Sequence, residues 1–292
     1  MKSIGREVVY NEIRSDNLPT LTVQSGEIFS VFTELCDGPW LKDMDSVYIP
    51  EPKYTNPTVC VKIEGAMPGD MLAVKIMAIE PENIGCTDVF SGDYSTKWFI
   101  RKNCETQTKI VRIKNGLIEY SEKLKLRINP MIGLIATAPA NGTQSSARAS
   151  RRGGNMDIQE VCAGTTVYLP VETPGALLHV GDTHAIQGDG EIGCIECRSK
   201  VILRVNVLPK PIGMSCVRLE DDKYIMTAAF HEQTDESFYE AYDEMVRWVS
   251  SDYNYTKEEA FSLIGQILEA RNTQFINPTR SYICKIKKEL LA

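Results

Sequence analysis

Residues 181–193 read GDTHAIQGDGEIG, which sets His184 among Asp182, Asp189 and Glu191 with four glycines and no lysine or arginine. Where a chain is extended, side chains two apart share a face, so Asp182 and His184 project together. Carboxylates this close repel one another unless a cation balances them. A divalent metal fits the set: zinc takes imidazole nitrogen with carboxylate oxygen, whereas calcium prefers oxygen alone. A second acid-bearing stretch, GGNMDIQEV, supplies Asn155 and Asp157 after its own glycine pair. If the two stretches converge, Asp157, Asp182 and His184 hold the metal, and Glu191 or Asp189 is left to move a proton. Gly188 and Gly190 flank Asp189, where the lack of a Cβ permits positive φ and lets a small substrate approach the main chain.

Other chemistries fit less well. A glycine-rich phosphate cradle conflicts with the neighbouring acids, which repel a phosphate. No Gly-x-Ser-x-Gly elbow is present, so serine-type hydrolysis lacks its motif. Cys194 and Cys197 form a CxxC, but in the alternating segment GCIECRSKVILRV residues three apart face opposite sides of a strand and are poorly placed to share a metal. Cys194 as a nucleophile stays open, since it closely follows the acidic segment. His179, in LLHVGD, and His231, just before a helix, read as structural.

The elements that must hold these residues are mostly strands. LTVQSGEIFSVFTEL, TVCVKIEGAMPGDMLAVKIMAIEP and TTVYLPVETPGALLHVGD each place apolar alternation on both sides of a glycine turn. Asn115-Gly116, in TKIVRIKNGLIEYSE, is the strongest short hairpin signal. NGTQSSARASRRGGN, residues 141–155, reads as a loop, and its Arg148, Arg151 and Arg152 as surface charge or as an anion or oligomer contact. Helix comes late. Thr234 or Asp235 is placed to cap ESFYEAYDEMVRWVSS, and Thr256 to Glu259 is a capping box opening EEAFSLIGQILEAR. The expected fold is mainly β (a β-rich α+β class): two packed β subdomains, or a sandwich- or barrel-like body, with C-terminal helices. A single domain over 1–292 is expected, with a β-rich body over 1–210, a helical segment over 234–272 and a terminal strand over 278–292.

The formal net charge of −7 speaks against nucleic-acid binding, which rests on clustered Lys and Arg. No stretch reaches the length of a membrane span, and the opening MKSIGREVVYNEIRSDN lacks the apolar core of a signal peptide. A cytoplasmic location is expected, with the nine cysteines reduced rather than paired.

The long segment GGNMDIQEVCAGTTVYLPVETPGALLHVGDTHAIQGDGEIGCIEC resembles the signature region of the acetamidase/formamidase family, with its GGNMD segment, LPV strand, PGAL turn and GD-x-HA-x-QGDGE motif. VKIEGAMPGDMLAVKI and INPMIGLIATAPA are similar to two further family segments, so the likeness spans roughly residues 55 to 205. It implies hydrolysis of a short aliphatic amide in a largely β, oligomeric protein (a dimer or larger), with zinc or calcium. By resemblance, Asn155, Asp157, Asp182, His184, Gln187, Asp189 and Glu191 stand at the family's motif positions. Asn155, Gly188 and Gly190 are then the substrate-binding candidates. A bound dication would lower the pKa of an attacking water, Glu191 would carry its proton to the departing ammonia, and Gln187 or a backbone N–H near Gly188 would steady the oxyanion. TELCDGPWLKDMDSVYIP, residues 33–50, departs from the family's acid-bearing N-terminal stretch and is a candidate pocket wall. Two rival readings remain: a hydrolase of another C–N bond on the same scaffold, and a non-catalytic metal-binding β domain.

Overall fold

Strand-forming alternation along most of the chain leads to a predominantly β architecture, seen in a computed structural model that describes residues 1–49, 55–89 and 107–291. An 18-stranded hydrogen-bonded network and a separate 2-stranded sheet contain the described strands.

The pairings divide the network into two sets. In the first, Leu21–Gln24 lies parallel to Thr58–Glu64, which pairs with Leu178–Gln187; that strand pairs with Met131–Ala136, and it in turn with Gly153–Asn155. In the second, Lys2–Ile4 joins Ile28–Phe32, then Cys194–Pro209, Asp70–Val89, Thr166–Pro170, Val217–Glu220, Tyr224–His231, Arg280–Lys287 and Glu269–Gln274. The main core draws on both: Val59, Val61, Leu178 and Val180 from the first meet Val31, Leu72, Val74, Val201 and Leu203 from the second. The sets are stitched along one edge, where Leu178–Gln187 pairs with the start of Cys194–Pro209. The expectation of a mainly β sandwich-like body with C-terminal helices is met.

The glycine turns behave in two ways. Asn115-Gly116 closes a hairpin in which Lys114 faces Leu117, with φ of 53° and 73° at the two turn residues, as a primed two-residue turn needs. The three longer turns instead carry the chain from one set to the other. Leu21–Gln24 and Ile28–Phe32, for instance, flank one turn yet pair with different strands.

Residues 141–155 do not form a plain loop. They contain the strands Thr143–Ser145, Ala149–Ser150 and Gly153–Asn155, tied together by Gln144 Nε2, which donates to the Gly153 carbonyl at 2.9 Å. Gly153, at φ 83°, sits where a Cβ would come within 2.2 Å of the Ile135 carbonyl, so the glycine pair permits a close strand crossing. The arginines are paired: Arg151 with Glu172 and Arg148 with Glu232 at the surface, and Arg152, mostly covered, also with Glu172.

Helix α1, Thr234–Asp252, buries Ala241, Met245 and Val249 against the strands from Tyr224 and Arg280. Its N-cap is Gln233, with no side-chain cap bond; the Ser237 hydroxyl instead accepts from His231 N at 2.8 Å and bridges the entry. Helix α2, Lys257–Ile267, opens on the capping box of Thr256 and Glu259. It stops earlier than its apolar pattern predicts, because Glu269–Gln274 pairs with Arg280–Lys287 and extends the second set beyond residue 210.

Candidate functional site

The site forms where the two sets are stitched. Asp182 leaves the β region at φ 54°, and Asp157 and Glu191 also adopt left-handed backbone, at φ 48° each. Left-handed backbone at non-glycine residues costs free energy, so three acids held there mark a locally strained, over-determined centre. Met131–Ala136 supplies the space: a Cβ on Gly133 would lie 2.6 Å from both Asp157 Oδ1 and Asp182 Oδ2. The two acid-bearing stretches therefore converge, with Asp157, Asp182, His184 and Glu191 all buried.

Gln187 fixes the imidazole. Its Nε2 donates to the Asp157 carbonyl at 2.8 Å, which leaves Oε1 to accept from His184 Nδ1 at 2.9 Å. His184 Nε2 then faces the acids, 3.4 Å from Asp182 Oδ1 and 3.2 Å from Glu196 Oε1. Burial alone would hold His184 neutral, but Cys194, Glu196 and Asp182 outweigh it and raise its pKa well above 6.5. Burial beside Asp182 pushes the Asp157 carboxyl up to about 8, and burial beside Asp157 raises Glu191 well above the usual carboxylate range. These two acids can hold a shared proton near neutral pH. Asn277 Nδ2 donates to Asp157 Oδ2 and lies 3.5 Å from Glu191 Oε2, bridging the pair.

Four polar side-chain atoms in this centre are buried without a hydrogen-bond partner: Asp157 Oδ1, Asp182 Oδ1, His184 Nε2 and Glu196 Oε2. Buried polar atoms are costly to leave unsatisfied, and an imidazole nitrogen with carboxylate oxygens is the donor set of a divalent metal. Three overlapping triads have ligand atoms within 4.8 Å of one another: Asp157, His184 and Glu191; His184, Cys194 and Glu196; Cys36, Asp182 and Glu196.

A cavity of about 160 Å³ opens onto this centre, lined by residues that include Trp40, Tyr48, Glu191, Cys194, Glu196 and Asn277. Residues 33–49 do form part of its wall, with the Trp40 and Tyr48 rings 5.1 Å apart; Pro50 lies outside the described residues. Asp37 accepts from Tyr48 Oη at 2.6 Å, and Glu34 accepts from Arg198 Nε.

The other sequence candidates are placed elsewhere. Asp189 points outward, its side chain 62% exposed and 2.8 Å from Arg271 Nε. Its neighbour Gly188 is exposed, and the Gly190 N–H is spent on the Thr273 carbonyl at 2.9 Å, so neither glycine lines the cavity. Asn155 is buried behind the centre, accepting from Asn56 Nδ2 at 2.9 Å. Gln187 has both ends engaged, which makes it an orienting group for His184 rather than a free oxyanion donor. Sequence reading missed Glu196 and the approach of Cys194 to His184. Their two-residue spacing on a strand carried that signal. Nothing local pointed to Asn277, which is brought in from the far end of the chain.

Fold and site together define a β-rich protein with a buried acid–histidine centre opening onto a small cavity. The chain belongs to the acetamidase/formamidase family, whose model matches residues 6–152 and 146–242. Two solved structures share the fold closely. The protein described as a recombinant predicted acetamidase/formamidase from Thermoanaerobacter tengcongensis superposes with TM-score 0.91 at 29% identity, over 99% of this chain and 96% of that one. An acetamidase from Bacillus halodurans gives TM-score 0.91 at 29% identity, over 98% and 97%. Among curated relatives, an acetamidase from Mycolicibacterium smegmatis is 24% identical over 211 residues, covering 51% of this chain and 52% of its own. A formamidase from Methylophilus methylotrophus is 41% identical over 59 residues, 19% of this chain and 14% of its own. The matches thus span about half or less of the curated relatives' length. No helix among the described residues is long and apolar enough to cross a membrane.

Proposed function

We propose that the protein hydrolyses a short aliphatic amide to the carboxylate and ammonia. The carrying observation is the convergence of buried, unpartnered carboxylate and imidazole atoms at the wall of a cavity of about 160 Å³, sized for a small molecule. Trp40, Tyr48, Ile192 and Ile276 offer apolar surface to the alkyl end of a substrate, while Glu191 and Asn277 present polar groups beside it. Glu191 alone of the predicted proton-transfer acids both lines the cavity and touches the centre. Its raised pKa suits a group that takes a proton from the attacking water and returns it to the departing nitrogen, because an amide leaves poorly unless protonated. Asp157 and Asn277 hold that carboxyl in place, and Gln187 holds His184.

His184 Nε2, Asp182 Oδ1, Asp157 Oδ1 and Glu196 Oε2 are the atoms that would hold a divalent ion. Bound there, such an ion supplies Lewis acidity toward the amide oxygen and toward water. Self-association into a dimer or larger belongs to the same reading, on the strength of the family resemblance, and a cytoplasmic setting is proposed beside it.

The test is ammonia release from formamide, acetamide and propionamide by the purified protein, before and after chelation with metal add-back. Release from at least one amide, lost on chelation and restored by a divalent metal, is expected. A folded, metal-supplemented protein that releases ammonia from none of them would refute the proposal.

A further inference from the structure

We propose that Cys194 is a metal ligand: its thiolate, with His184 Nε2 and a Glu196 carboxylate oxygen, makes a sulfur–nitrogen–oxygen site that selects a borderline-soft dication such as zinc over calcium. The proposal rests on the metal-dependent reading above, adds Cys194 to its ligands and takes Asp157 from them.

The strand Cys194–Pro209 begins at Cys194, and residues two apart share a face, so Cys194 and Glu196 point the same way. Glu196 stands opposite His184 in register. Cys194 Sγ and His184 Nε2 each lie 3.2 Å from Glu196 Oε1. Zinc–sulfur and zinc–nitrogen bonds of about 2.3 and 2.1 Å place ligands of one ion roughly 3–4 Å apart, so these three atoms need little movement to share one. His184 Nε2 and Glu196 Oε2 are buried without hydrogen-bond partners, and the Gln187 bond to Nδ1 is the outer contact that orients a metal-bound histidine.

The imidazole has a single free lone pair, so an ion on the Cys194 side is not also centred on Asp157 and Glu191. That leaves those two acids as the proton-sharing pair. Cys197 is excluded by strand geometry, since it turns to the other face and donates to the Thr183 carbonyl at 3.5 Å. Calcium takes oxygen ligands, whereas thiolate with imidazole suits zinc. On binding, the Cys194 S–H bond ionises, a sulfur–metal bond forms and the proton passes to solvent.

The experiment titrates cobalt(II) into the chelator-treated full chain and reads two signals: the visible ligand-field bands, which report binding, and the near-ultraviolet thiolate-to-cobalt charge-transfer band. Wild type should show both, Cys194→Ser should lose the charge-transfer band while keeping the visible bands, and Cys36→Ser should keep both. Zinc should bleach the spectrum and calcium should not. Visible bands without charge transfer in wild type, a charge-transfer band that survives Cys194→Ser, or one lost in Cys36→Ser, would each overturn the assignment and leave the metal reading standing. No cobalt spectrum from a protein that still releases ammonia after chelation would overturn the metal reading itself, and the assignment with it. A measurement that needs no variant guards against misfolding. Zinc, but not calcium, should protect Cys194 from alkylation as read by peptide mass spectrometry, and equal alkylation with and without zinc would refute the ligand.

Discussion

The strand Leu178–Gln187 carries two fully buried histidines, and its two halves put burial to opposite ends. In the first half His179 takes a 2.8 Å hydrogen bond with Thr58 Oγ1 and an edge contact from Tyr10, and burial lowers its pKa to about 3. In the second half His184 is equally buried, but Cys194, Glu196 and Asp182 surround it and hold its pKa up. The halves divide at Asp182, whose left-handed backbone changes what the strand faces: the Thr58–Glu64 strand before it, Glu196 after it. Burial by itself neutralises an ionisable group; acidic groups brought in from other elements offset it and favour the charged imidazole.

Gly133→Ala should damage the second half most. Its Cβ would press on Asp157 and Asp182 together, and a displacement of that order at a reacting centre costs about 100-fold in turnover. Ammonia release is the readout, with far-ultraviolet circular dichroism unchanged; turnover within a few-fold of wild type would mean the two acids are not held there.

His179→Gln addresses the first half alone. Between the ordinary histidine pKa of 6.5 and its folded value of about 3, the unfolded chain binds a proton that the folded chain does not. Stability supplied by neutral His179 is therefore complete above the unfolded value and is lost as pH falls, by about 4 kcal/mol at pH 3. Urea unfolding at several pH values should show a shallower acid slope in the variant, while ammonia release at neutral pH persists. An unchanged slope would mean that His179 is not held neutral.

The smallest effect is expected from Arg271→Ala. This residue ties Asp189 and Glu160 at 2.8 Å each and steadies the turn between the two site strands, but its pairs are partly exposed. Loss of roughly 1 kcal/mol or less, with turnover nearly intact, should appear by thermal unfolding and ammonia release. A collapse of turnover would give the exposed side of this turn a role in the chemistry.

What could be read from the sequence divides along similar lines. The nearness of Asp182 and His184 was legible from their two-residue spacing, although the left-handed backbone at Asp182 departs from plain strand alternation, and Asn115-Gly116 followed from turn chemistry, because each depends on neighbours a few residues away. The flanks of the three longer glycine turns read correctly as strands, but their partners lie in the other strand set, and long-range packing chooses them. Asp189 and Glu191 look equivalent in QGDGE. Docking of Gly190 against Thr273 and Phe275 buries Glu191, while Arg271 holds Asp189 at the surface. Asn277 had no local signal, since its role depends on the chain's return to the site after both helices.

The most direct test of the account compares Glu191→Gln with Asp189→Asn, two amide-for-acid changes two positions apart in one turn, by ammonia release at saturating amide. The account predicts a loss of about 100-fold or more for Glu191→Gln, in the range of a missing general base, and near wild-type turnover for Asp189→Asn. Turnover within about tenfold of wild type for Glu191→Gln, or a larger loss for Asp189→Asn, would contradict it.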